Sequence, residues 1–235
     1  MRLDKFLSET GTATRTEAAK AARKGGVTVN GIPCAKVSVH IDPFADSVAY
    51  LGRKIEYKKF RYILLNKPAG YVSATEDGRD PTVLELLPAE YAPFKLFPCG
   101  RLDKNTLGLM LITDDGALAH RLLSPKHHVE KTYRYRLKFP LSEADAERVE
   151  AGVTFDDGYL TKPAKITRYE ETSCGEISVT EGKYHQIKRM FEAVGNIVTE
   201  LERIKFGPLT LPENMARGEW RVLTDDEINA IRECT

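Results

Sequence analysis

The sequence predicts an α+β protein: a small basic N-terminal domain of helices and short strands, then a larger domain built on a largely antiparallel sheet. Three observations predict it. Helical and extended periodicities follow each other closely within residues 1–50, separated by Gly25-Gly26 and Asn30-Gly31. From Tyr62 onward, strand-like apolar runs outnumber helical ones and do not alternate with them as in a doubly wound fold. The charge is also split along the chain. Residues 1–61 hold 12 Lys+Arg against 6 Asp+Glu, whereas the whole chain has a net charge of only +1.

In the N-terminal part, Leu3, Phe6 and Leu7 share one face of a helix. Thr14 followed three residues later by Glu17 is a capping box. The helix it opens runs through Ala18, Ala19, Ala21 and Ala22 and ends at Gly25-Gly26. Val27-Thr28-Val29 reads as a strand, Asn30-Gly31 as a tight turn, and Ile32 to Val39 as a return in extended form. Residues 51–61 are densely charged and read as a linker, with room for one short strand.

In the larger domain, residues 62–235, Tyr62 to Leu65 is a buried-type strand stopped by Asn66-Lys67-Pro68. Leu107 to Thr113 is a second, closed by an Asp114-Asp115-Gly116 turn and followed by a helix through Leu118, Arg121 and Leu122. Thr132 to Phe139 alternates as a strand, and Ser142 opens a helix that Gly152 closes. Tyr159 to Tyr169 and Glu176 to Thr180 read as strands, and Gln186 to Val194 as a helix stopped by Gly195.

Several classes are excluded. No apolar run approaches the roughly 20 residues that span a bilayer, and the charged start Met1-Arg2-Leu3-Asp4-Lys5 lacks the apolar core of a signal peptide. Cys34, Cys99, Cys174 and Cys234 form no C-x-x-C pair, which fits reduced thiols in a cytoplasmic protein. His120, His127, His128 and His185 match no zinc spacing, so no metal is expected. Neither G-x-x-x-x-G-K-[ST] nor G-x-G-x-x-G occurs, so no nucleotide cofactor is expected.

The chemistry concentrates in Gly100-Arg101-Leu102-Asp103-Lys104-Asn105-Thr106-Leu107-Gly108, which delivers an aspartate just ahead of an apolar strand. Arg101 is placed to set a cation beside it. An ionised carboxylate suits a nucleophile or base rather than a general acid. Taken alone, a loop Asp more often pairs or caps locally. Glu130-Lys131-Thr132-Tyr133 offers an aromatic face, which alone is an ordinary strand residue. Lys188 and Arg189 follow His185-Gln186-Ile187 on an amphipathic helix, where a lysine usually faces solvent. A paired carboxylate is not available from Asp114 or Asp115, which lie a strand's length away.

Two family resemblances sit on these residues. Arg2 to Leu7, Thr14 to Gly25 and Val27 to Gly31 together resemble an S4 RNA-binding domain over residues 1–50. The resemblance implies a small αL-shaped fold whose basic residues Arg2, Lys5, Arg15, Lys20, Arg23 and Lys24 meet a phosphate backbone. The 100–116 string resembles the signature of the pseudouridine synthases, in particular the RsuA-type enzymes of small-subunit ribosomal RNA. Asn66 to Gly70, Thr161 to Ala164 and Glu181 to Phe191 extend the likeness over nearly the whole chain.

That family likeness implies an RNA isomerase that needs no cofactor. Asp103 takes the catalytic position, Tyr133 stacks on the target base, and Lys188 pairs with the aspartate, with Arg189 the neighbouring choice. Arg101 and Arg189 are expected to hold flanking phosphates, and the strand around Leu109 and Leu111 to form a low-dielectric pocket. Attack on the sugar, attack on the base and removal of a sugar proton all stay open for Asp103. The expected partner is ribosomal RNA of the small subunit, bound by a monomer with the target uridine flipped out of its stack. The alternatives are a large-subunit enzyme, a non-catalytic S4-type assembly factor, and an N-glycosidase that releases the base.

Overall fold

The structure is a computed structural model and describes residues 1–234. The chain divides into two compact units. One comprises residues 1–61 with residues 88–95, and the other comprises residues 62–87 with the chain from Leu96 onward.

The first unit contains α1 (Leu3–Glu9), α2 (Arg15–Arg23) and four short strands, β1 (Val27–Val29), β2 (Ile32–Pro33), β3 (Val48–Tyr50) and β4 (Arg53–Ile55). Leu3, Phe6 and Leu7 pack against Ala18, Ala21 and Ala22, together with Val27, Ile41 and Val48. Alanines on α2 permit close helix–helix contact, which is how so short a segment closes a core. The Thr14–Glu17 capping box is complete: Thr14 Oγ1 accepts from the Glu17 amide, and Glu17 accepts from the Thr14 amide at 2.8 Å. Asn30 and Gly31 take the positive φ angles, 52° and 79°, that a tight hairpin requires.

One expectation for this unit is corrected. The return strand after Gly31 spans only Ile32–Pro33. Pro33 has no amide to donate, and the carbonyls of Val37 and Val39 instead accept from the amides of Asp4 and Leu3 at the start of α1. The second partner of β1 is β3, whose hairpin runs on into β4, giving the order β2-β1-β3-β4. Strand β4 is the one short strand for which the charged stretch 51–61 leaves room. Its residues are mostly exposed, as an edge strand tolerates.

The second unit is a nine-stranded sheet with helices. Its elements are β5 (Tyr62–Lys67), β6 (Phe97–Pro98), β7 (Leu107–Thr113), α3 (Gly116–Leu123), β8 (Lys131–Leu137), α4 (Glu143–Ala151), β9 (Lys165–Arg168), β10 (Cys174–Val179), α5 (Gln186–Glu192), β11 (Val198–Phe206), β12 (Leu209–Thr210), β13 (Trp220–Val222) and α6 (Asp225–Glu233). The strand order is β13-β5-β7-β11-β8-β10-β9, with β6 beside β7 and β12 beside β11. Among the named strands of the described residues only the β7–β11 pair is parallel, so the α+β class with a largely antiparallel sheet holds.

Strand β5 continues through Asn66 and Lys67, which are buried, rather than stopping at Leu65. Strand β11 has no clean alternation to read, because its pairing with β8 slips between Val198 and Glu200 and again between Arg203 and Lys205. Between Tyr159 and Tyr169 only Lys165–Arg168 is a strand. Pro163 cannot donate to a ladder, and Thr161 turns back so that its amide and hydroxyl bond to Val153. Asp115 caps α3 by accepting from the Leu118 amide and also accepts from the Tyr62 hydroxyl at 2.6 Å, tying the end of β7 to β5.

Candidate active site

Strand β7 fixes where Asp103 sits. Gly108 adopts φ +97°, and a Cβ there would lie 2.3 Å from the Arg203 carbonyl oxygen. Only glycine lets β7 approach β11 this closely. The loop ahead of it is held at several points. The Ser73 hydroxyl donates to the Leu102 carbonyl at 2.8 Å and accepts from the Leu102 amide at 3.0 Å. The Gly70 amide donates to the Lys104 carbonyl, and the Thr106 amide to the Asp103 carbonyl.

Beneath this loop lies Lys67, fully buried, whose ammonium donates to the carbonyls of Pro68, Lys104 and Thr106 at 2.8–3.0 Å. Burial pushes its pKa down to about 8, while the charge of Asp103 acts in the opposite direction. In the sequence, Asn66-Lys67-Pro68 reads as a strand stop and Lys67 has no evident role. The available signal is a lysine beside a proline inside a segment with family likeness.

The Asp103 carboxylate is about one quarter exposed and faces the start of α5. Lys188 Nζ lies 2.6 Å from its Oδ2, and His185 Nε2 lies 3.5 Å from its Oδ1. The Thr106 hydroxyl reaches Oδ2 more loosely at 3.4 Å. Tyr133, on β8 and almost buried, lines the same cleft. Asp103, Tyr133 and Lys188, distant in sequence, are therefore brought together. Helical geometry decides between the two neighbouring cations, since successive residues point about 100° apart. Lys188 meets Asp103, whereas Arg189 pairs with Asp156 and with Asp157 (2.7 Å for the latter) and lies 4.0 Å over the Phe155 ring.

The loop before α5 is organised by Glu181, which is buried. It accepts from the Tyr159 hydroxyl and the Gln186 side-chain amide at 2.7 Å each, and from the Lys162 amide at 3.1 Å. Gln186 in turn accepts from the Lys183 amide at 2.9 Å. Neither Glu181 nor His185 is legible as a catalytic-site residue in the sequence, because their roles depend on where the loop returns.

Three sequence expectations change here. Arg101 lines the cleft but makes no salt bridge with Asp103 among the described residues; the cation beside the carboxylate is Lys188 of α5 instead. Arg189 is engaged by two aspartates, which compete with any phosphate for it. Leu109 and Leu111 are fully buried within the sheet, and the apolar wall of the cleft is made by Leu102, Val179, Ile187 and Leu201.

In the first unit, Arg15, Lys20, Arg23 and Lys24 are exposed and make no salt bridge among the described residues. Arg2 donates to buried Asp4 at 2.7 Å and holds that carboxyl below its ordinary range, and Lys5 sits 3.5 Å from Glu9. Of the six basic residues expected to meet RNA, those of α2 and its C-terminal end are therefore the ones without a salt bridge among the described residues. Among the described residues, no helix is long and apolar enough to cross a membrane.

Chemically, the cleft offers a carboxylate held by two cationic or protonatable groups, an aromatic face and an apolar wall, in a rigid frame. Comparison with known proteins places the chain in a family. A family model described as RNA pseudouridylate synthase matches residues 61–193, which include Asp103, Tyr133 and Lys188, and an S4 domain model matches residues 1–46. The chain is 45% identical to the protein named "Uncharacterized RNA pseudouridine synthase YtzG" of Bacillus subtilis, over 99% of both chains. It is 43% identical to ribosomal small subunit pseudouridine synthase A of Escherichia coli K12, covering 98% of this chain and 100% of that one. A crystal structure of a pseudouridylate synthase superimposes with a TM-score of 0.69 at 38% identity, covering 98% of this chain and 99% of that one. The chain therefore belongs to the RNA pseudouridylate synthase family, isomerases that act on RNA, with an S4 domain preceding the catalytic one.

Proposed function

We propose that the protein converts a uridine of small-subunit ribosomal RNA to pseudouridine, with Asp103 as the reacting carboxylate. The observation that carries the chemistry is the Asp103–Lys188 pair at 2.6 Å in a cleft walled by Tyr133. The choice of RNA rests on the near full-length likeness to enzymes named for the small subunit.

The reaction breaks the N1–C1′ bond, turns the uracil and joins C5 to C1′. C5 loses its hydrogen, N1 ends protonated, and substrate and product are isomers, so no electrons are exchanged with a cofactor. The work left to the protein is to extrude the nucleotide, present an anionic group and hold the detached base. Extrusion costs a few kcal/mol and is easiest in a loop or bulge. The exposed cations of α2 supply sequence-independent phosphate affinity toward that cost. Lys188 and His185 orient the Asp103 carboxylate, and Tyr133 retains the uracil by stacking, a contact worth about 1–3 kcal/mol. Lys67 anchors the Asp103 loop from below. The protein works as a monomer in the cytoplasm.

The test is tritium release from RNA labelled at uracil C5, offered as small-subunit RNA, large-subunit RNA and their partly assembled particles. Release confined to small-subunit substrates is expected. Release confined to large-subunit substrates would move the target. Free uracil as the product would replace isomerisation by glycosidic cleavage.

A further inference from the structure

Tyr184 stands out in the frame around the cleft because packing gives it nothing to do. It is 72% exposed, against 9% for Tyr133. A single exposed aromatic is common and needs no explanation. This one differs in its setting. Its ring lies 3.9 Å from the ring of His185, inclined by only 17°. His185 lines the cleft and reaches to 3.5 Å from Asp103. The two rings thus form a face-to-face stack that starts beside the candidate catalytic carboxylate and ends at the exposed tyrosine.

That stack is held rigidly. His185 has φ +49°, a left-handed conformation that a residue with a side chain adopts at some energetic cost. Glu181 and Gln186 fix the loop on either side through their hydrogen bonds to Tyr159, to Lys183 and to each other. Lys183, in the same loop, is held 4.3 Å over the Tyr159 ring. A strained, cross-braced loop that presents a bare ring to water is the arrangement expected of a binding platform. Every nucleobase has a π-face, and single-stranded RNA is held by such rings.

We propose that Tyr184, backed by His185, is a second stacking platform of this enzyme and takes the base of a nucleotide next to the target uridine. Tyr133 then holds the reacting uracil inside the cleft while Tyr184 holds its neighbour at the mouth. Two stacked bases on separate rings keep the intervening backbone splayed. This inference rests on the reading of the cleft as the site of RNA modification.

The test uses the full chain with Tyr184→Ala, Tyr184→Phe and Tyr184→Trp, on a small-subunit RNA fragment at fixed salt. Affinity is read by anisotropy, and 2-aminopurine is placed on either side of the converted uridine. The native protein is expected to quench 2-aminopurine at one flanking position, and Tyr184→Ala to lose that quenching. The Kd and KM of Tyr184→Ala should rise about 5- to 150-fold, the range equivalent to the loss of one base stack, with kcat nearly unchanged. Tyr184→Phe and Tyr184→Trp keep a ring and should behave as the native protein. The proposal is overturned if Tyr184→Ala binds and quenches normally, or if Tyr184→Phe falls as far as Tyr184→Ala. Affinity is read without turnover, so a native protein that binds this RNA but converts none would overturn the functional reading while still reporting on Tyr184.

Discussion

Lys188 and Arg189 are adjacent cations on one helix, yet only Lys188, the one favoured by its position after His185-Gln186-Ile187, reaches Asp103. Lys188→Met removes the 2.6 Å partner of the carboxylate and leaves it to drift within the cleft. Misplacement of a reacting group by about 1 Å costs on the order of 10²-fold, so kcat should fall by about that factor while KM for RNA moves little. Steady-state kinetics check this, and an unchanged kcat would remove Lys188 from the site. Lys131 makes a different prediction. Its ammonium is buried and donates to the Val129 carbonyl, and its pKa is pushed down to about 8, chiefly by burial and then by the nearby Arg203 charge. An unfolded lysine titrates near 10.4. Above pH 8 the unfolded chain therefore binds a proton at Lys131 that the folded one lacks, which raises stability with pH by up to about 1.4 kcal/mol per unit, beside a like contribution from Lys67. Cys99, with its thiol pushed up to about 12 by burial, opposes this above pH 9, so the window is pH 8–9. Denaturant unfolding of Lys131→Met across that window should show a slope lower by one proton. The position of Asp103 was legible from its glycine-flanked string. The roles of Lys67 and Glu181 were not, because each acts through groups of distant segments.

At the scale of elements, the β7–β11 contact is the join on which the site depends, since it sets the end of β7 from which the Asp103 loop springs. Gly108→Ala would drive a methyl into the Arg203 backbone at a positive φ. A destabilisation of about 3 kcal/mol or more is expected from this clash and strain, read as a lower denaturant midpoint. A midpoint within experimental error of native would show that the two strands can separate without cost. Elements with local signals were legible: the Thr14–Glu17 box, the Asn30-Gly31 turn, and the apolar run of β7 that is buried on both faces. Elements defined by their partners were not. Strand β4 is charged because it is an edge, and β11 is central yet carries bulges and a buried arginine. The sequence leaves room for a strand at β4 without fixing its bounds, and the pattern of β11 does not resemble a strand until its neighbours are known.

Over the whole molecule, a net charge of +1 conceals a segment of residues 1–61 that carries twice as many basic as acidic residues. The helix α2 concentrates that excess in exposed side chains without salt-bridge partners among the described residues. Reversing Lys20, Arg23 and Lys24 to glutamate should weaken RNA binding across all sequences. It should also flatten the slope of log affinity against log salt by about 0.7 for each phosphate that is no longer neutralised. An unaltered salt slope would show that the affinity comes from elsewhere. The family was legible because its motifs are contiguous strings, whereas the division of labour among cations required the fold. The central claim, that Asp103 is the reacting group of an RNA isomerase, is tested most directly by tritium release from C5-labelled small-subunit RNA with native protein and Asp103→Asn. Release by the native protein, and a fall of about 10⁴-fold or more in the variant with RNA affinity retained, is the predicted result. Equal release by both would contradict the account.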